Sequence, residues 1–72
     1  MKQYFYIIAY HLSDGDLNIE KVFLQEDQAI TYGRRFATKH NRTKVNLYRQ
    51  LIATTATVEF VEVLKPFKTE ER

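Results

Sequence analysis

Near the start of the chain, residues 3–12 carry an aromatic or aliphatic side chain at almost every position: Gln3-Tyr4-Phe5-Tyr6-Ile7-Ile8-Ala9-Tyr10-His11-Leu12. Aromatic and β-branched residues of this density fit a β-strand. Successive side chains on a strand point to opposite faces. One face therefore holds Tyr4, Tyr6, Ile8, Tyr10 and Leu12, and the other holds Phe5, Ile7, Ala9 and His11. Both faces are largely apolar, which predicts a central strand. A central strand needs a neighbour on each side, and the rest of the chain must supply them.

The next signal is Ser13-Asp14-Gly15-Asp16. Asp-Gly between apolar runs marks a hairpin, because glycine takes positive φ without a steric penalty. Residues 17–24 are the return strand, and Glu20 and Lys21 within it suit an edge. Residues 26–40 are expected to be helical, with Glu26 and Asp27 in the first turn and Lys39 and His40 in the last. At 100° per residue Ala29, Gly33, Phe36, Ala37 and His40 share one stripe, and Ile30 lies at its margin. Gly33 costs about 1 kcal/mol relative to alanine inside a helix. Its place between Ala29 and Ala37 suggests close approach of helix to sheet. After the loop Asn41-Arg42-Thr43, residues 44–53 and 57–64 are the third and fourth strands. The link Thr54-Thr55-Ala56 lacks Gly, Asn and Pro, but one unbroken strand over 44–64 would run for roughly 70 Å. Pro66 ends the last strand.

These elements predict an α+β fold of order ββαββ, a four-stranded sheet with one helix packed on one face. The element order is similar to that of β-grasp domains, which set strands one and four side by side and parallel. The resemblance implies an architecture that hosts many functions. Residues 1–67 are expected to form one domain and residues 68–72 a frayed, charged tail. With 72 residues, a chain buries only about 60% of its unfolded surface, so a partner or second subunit would add stability.

Chemistry is narrowed by what the sequence lacks. Zero cysteines exclude disulfides, thiolate metal sites and cysteine nucleophiles. His11 and His40 are the only histidines, short of the three protein ligands that zinc requires. Asp14-Gly15-Asp16-Leu17-Asn18 opens like a calcium loop, but the sixth and twelfth positions are Ile19 and Gln25 where glycine and glutamate are needed. Glu59 and Glu62, three apart on a strand, should face opposite sides. Two glycines make no phosphate-binding loop. A non-enzymatic protein without metal or cofactor is expected. The N-terminus has a strand pattern with three tyrosines in place of a signal peptide, and no apolar run reaches the ~20 residues of a membrane span, so a cytoplasmic location is expected.

Charge is unevenly spread. Residues 1–27 carry two bases against five acids, and residues 59–72 three against four. Residues 28–58 carry six bases, Arg34, Arg35, Lys39, Arg42, Lys44 and Arg49, and no acid. Bases favour a helix C-terminus for electrostatic reasons alone, yet such a segment also suits a polyanion or an acidic protein.

Two candidate surfaces follow. Phe5, Ile7 and Ala9 are the smaller, more purely apolar set, and are expected to face the helix in a core with Phe36, Ala37, Val45, Leu47 and Phe60. Tyr4, Tyr6 and Tyr10, with Tyr48 beside Asn46 and Gln50, would then line the open face as a partner-binding surface, with self-association into a homo-oligomer. The alternative is nucleic-acid binding by Arg34, Arg35, Lys39, Arg42 and Lys44. On this assignment the tyrosines and the basic helix face lie on opposite sides of the domain and could not serve one ligand.

Overall fold

A computed structural model describes residues 3–52 and 57–67. The chain forms β1 (Tyr4–His11), β2 (Leu17–Phe23), α1 (Glu26–Lys39), β3 (Val45–Leu51) and β4 (Val58–Leu64). The four strands make one sheet in the order β2-β1-β3-β4, and every neighbouring pair is antiparallel. α1 packs on one face and touches all four strands. The ββαββ order is as the sequence predicts, and β1 is central. The β-grasp pairing is absent: β1 lies beside β3, antiparallel, and β4 is an edge. The link at 54–56 and the tail at 68–72 fall outside the described residues.

Local chemistry explains the joints. In the β1–β2 hairpin Gly15 has φ 95°, its N–H donates to the Leu12 carbonyl at 2.9 Å, and the Asp16 N–H donates to Asp14 Oδ1 at 2.9 Å. The chain leaves α1 through His40 and then Asn41, which is at φ 54°. The Arg42 N–H reaches back to the Ala37 carbonyl (2.8 Å) and the Asn41 N–H to that of Thr38 (3.3 Å). This is the paired closure that a left-handed residue after a helix permits.

The core is compact and its composition is complementary. The helix buries only small residues, Ala29, Gly33 and Ala37. The sheet supplies the bulk, with Ile8, Val45 and Leu47 fully buried and Leu64 nearly so. Each such side chain contributes about 1.5–3 kcal/mol of hydrophobic stabilisation. A Cβ on Gly33 would run into the Leu64 side chain and lie 3.1 Å from Ile8 Cδ1, so the close approach read from the sequence is present.

The two faces of β1 are the reverse of the sequence expectation. Ile8 lies in the core, Tyr6 packs against it, and Tyr10 stacks on Phe36 of α1 with ring centroids 5.3 Å apart. Tyr4, Tyr6, Ile8 and Tyr10 thus lie on the helix side, and Phe5, Ile7, Ala9 and His11 on the open side. The reason is volume. The stripe of Ala29, Gly33 and Ala37 brings Ile8 close to the helix, and Tyr6 and Tyr10 fill its flanks beside the core and Phe36 with more bulk than Phe5 and Ala9 together would bring, as an interior that tolerates few voids requires. Ala37, Val45 and Leu47 are buried as expected, and Phe36 is half-buried. Ala9 is buried, but within the open face, and Phe60 is 58% exposed.

Candidate functional site

The open face is built from all four strands. β1 contributes Phe5, Ile7, Ala9 and His11. Cross-strand pairing then assigns the others: Val22 lies opposite Ile7, Ile19 opposite Ala9 and Leu17 opposite His11. On the other side Gln50 pairs with Phe5, Tyr48 with Ile7 and Asn46 with Ala9. β4 completes the face with Val58, Phe60 and Val63, opposite Gln50, Tyr48 and Asn46.

None of these positions carries Asp, Glu, Lys or Arg. The charged strand residues Glu20, Lys21, Arg49, Glu59 and Glu62 all fall on the helix side. Two β-bulges help to place them. The register slips by one residue at Glu20 in β2 and at Val61 in β4. The second slip overturns the expectation that Glu59 and Glu62 face opposite sides. Glu59 is engaged by Arg49, whose Nε donates to its Oε1 at 2.7 Å. Both bulges sit on edge strands, where they hinder pairing with a further strand.

The open face is bare in this chain. Ile19 is 59% exposed, Val58 53%, Leu17 and Val22 47% each. Its polar members are neutral: the Asn46 amide donates to the Tyr48 hydroxyl at 3.3 Å, and Tyr48 meets Phe60 edge-on at 5.8 Å. An uncovered face of an antiparallel sheet is ordinarily polar; this one is apolar on β1, β2 and β4 apart from His11, and β3 crosses it with the uncharged Asn46, Tyr48 and Gln50.

Of the tyrosines singled out from the sequence, only Tyr48 lies on this face. Tyr4, Tyr6 and Tyr10 do not. Tyr4 sits on the helix side, with the Arg49 guanidinium 4.5 Å from its ring centroid. The residues missed were Leu17, Ile19, Val22, Val58, Phe60 and Val63. Strict alternation hides them, because it puts Ile19 on one face with Lys21 and Phe60 with Glu62; only the register slips at Glu20 and Val61 separate these apolar residues from the charges.

The basic set does not form one patch. Arg34 donates from Nε to the Lys65 carbonyl at 3.2 Å and lies 4.3 Å from the Phe67 ring centroid. With the Phe67 N–H bonded to Thr38 Oγ1 at 2.8 Å, it straps residues 65–67 along α1. Arg42 covers the Tyr10 ring at 4.0 Å. Arg35, Lys39 and Lys44 are exposed, with Arg35 and Lys39 on the β2 side of the helix and Lys44 beyond its C-terminal end.

No helix among the described residues is long and apolar enough to cross a membrane. Comparison with protein-family models, curated proteins and solved structures returned no match.

Proposed function

We propose that this protein works by binding, without catalysis, and that its open sheet face is the contact surface, covered first by a second copy of the same chain. The observation that carries this reading is the segregation of charge: every Asp, Glu, Lys and Arg of the four strands lies on the helix side. A large bare apolar patch is seldom left on a monomer.

The absence of charge favours self-contact. Across a two-fold axis a surface meets itself, so any charge near the axis meets its like. A neutral face avoids that cost and offers no pattern that would select a charged foreign partner. Two sheets of this kind pack about 10 Å apart with strands inclined by roughly 30°. Edge-to-edge extension is the competing geometry, and the bulges and charges of β2 and β4 oppose it.

Size sets the expected strength. Four strands about 4.8 Å apart and some seven residues long give a face on the order of 400 Å² in plan. Two such faces bury an area at the low end for specific interfaces. The dimer should therefore be concentration-dependent. Sedimentation equilibrium over a wide concentration range should show a monomer–dimer equilibrium. Phe60→Lys, at a well-exposed position, should leave the circular dichroism spectrum intact and shift the protein to monomer. A wild type that stays monomeric at the highest attainable concentration would overturn the reading.

A further inference from the structure

A second surface lies on the side away from the open face, along the flank of α1 that overlooks β2. The reversal of the β1 faces creates it, because Tyr10 joins the helix side, where the basic residues are. Four rings run in sequence: Phe23 to Tyr32 at 5.3 Å, Tyr32 to Phe36 at 6.4 Å and Phe36 to Tyr10 at 5.3 Å between centroids. All four are half-buried, so each keeps an accessible part. Cations border them throughout. Lys21 Nζ lies 5.2 Å from the Tyr32 ring centroid, and Arg42 lies over Tyr10. Arg35 and Lys39, both exposed, line a shallow depression shared with Tyr32, Phe36 and His40. The acids nearby are Glu20, which accepts the Tyr32 hydroxyl at 2.8 Å, and Asp27 at the start of the helix.

We propose that this flank binds single-stranded nucleic acid. Aromatic edges alternating with cations are the combination that such ligands use: bases stack on rings irrespective of sequence, and phosphates pair with lysine and arginine. Arg35, Lys39, Lys21 and Arg42 would take the phosphates, and the accessible parts of Tyr32 and Phe36 the bases, while Tyr10, held between Phe36 and Arg42, fixes the end of the row. Duplex is disfavoured because its bases are already stacked and cannot reach the rings. The basic stretch from Arg35 to Lys39 covers little more than one helical turn, about 6 Å, so only a few nucleotides are engaged per protomer. About three to four phosphate contacts imply a log–log salt slope near −2 to −3 for a single strand. The surface is independent of the sheet-face contact and stays accessible in a face-to-face dimer.

The test is fluorescence anisotropy with a short labelled oligothymidylate at about 20 mM salt, with the same measurement on duplex. Binding should favour the single strand, weaken with salt at the slope given, and fall at least about tenfold in the double variant Arg35→Glu, Lys39→Glu. Both positions are exposed, so the variant should fold, as circular dichroism would verify. Phe60→Lys should bind as the wild type does, even if sedimentation shows no dimer. No binding at low salt, equal binding by the charge-reversed variant, or a preference for duplex would each overturn the proposal.

Discussion

The two faces of the sheet are made from the same strands and follow opposite rules. The helix side combines a small dry core, formed by Ile8, Val45, Leu47 and Leu64, with a rim of charge in which Arg49 meets Glu59 and Tyr32 meets Glu20. The open side has no such rim. Its apolar residues reach to both edges, and it holds no Asp, Glu, Lys or Arg. A face meant for water would be expected to alternate polar residues outward. The bulges at Glu20 and Val61 show how strictly the separation is kept: after each slip, the next apolar residue returns to the open side and the charges stay with the helix. The sheet has one layer of cover, α1, and its other face is left exposed with apolar residues on three of its strands.

The largest effects should come from the covered side. Leu47 is fully buried between β1, β4 and α1, so Leu47→Ala should cost about 2–5 kcal/mol. Small domains hold only about 5–15 kcal/mol in all, and thermal unfolding should show a large fall or a loss of the folded state. Phe60→Ala removes a larger side chain from the open face. Measured where the chain is monomeric, it should change stability by little more than the ~0.5 kcal/mol typical of surface sites. If both variants proved equally destabilising in monomer, the open face would be part of the core and the contrast would fail.

A smaller effect is expected at Gly33. Valine there would need the Leu64 and Ile8 side chains to move, and overpacking of this kind costs about 1–3 kcal/mol. Chemical denaturation would measure it. An unchanged midpoint would mean that α1 can lift from the sheet without loss, and that the tight layer on the helix side is not needed.

This residue also shows what was legible beforehand. Strand and helix positions follow from periodicity and turn chemistry, which act locally, and Asp14-Gly15 and the Ala29-Gly33-Ala37 stripe are read directly from the chain. The assignment of faces is not local. The hydropathy of β1 alone ranks Phe5, Ile7 and Ala9 above Tyr6 and Tyr10. The deciding quantity is the bulk needed around the close contact of Ile8 with Gly33, which Tyr6 and Tyr10 supply from the same face of β1. The bulges were invisible, because the choice of which residue in Glu20-Lys21 or Phe60-Val61-Glu62 slips depends on pairing with β1 and β3. Strict alternation therefore does not reveal Phe60 and Ile19 as neighbours on one uncharged face.

The smallest expected effect concerns the polar rim that distinguishes the helix side. The Tyr32 hydroxyl donates to Glu20 Oε2 at 2.8 Å. That hydrogen bond, then partial burial, then the negative charge of Glu20 raise the phenol above the ordinary tyrosine value. A group whose pKa is raised on folding stabilises the fold fully below its unfolded value, about 10 for tyrosine, and loses that contribution as pH rises through the folded value. Stability should therefore be insensitive to this group at neutral pH and decline only in strong alkali. Absorbance titration of tyrosinate should show a late component equivalent to one of the five tyrosines. Glu20→Ala removes both the acceptor and the charge, so it should bring that component down toward the ordinary range with little change in melting temperature at pH 7. A titration identical in wild type and variant would show that β2 and α1 are not joined here. The charges of the helix side would then be loose surface groups, and the contrast between the faces would rest on the open side alone.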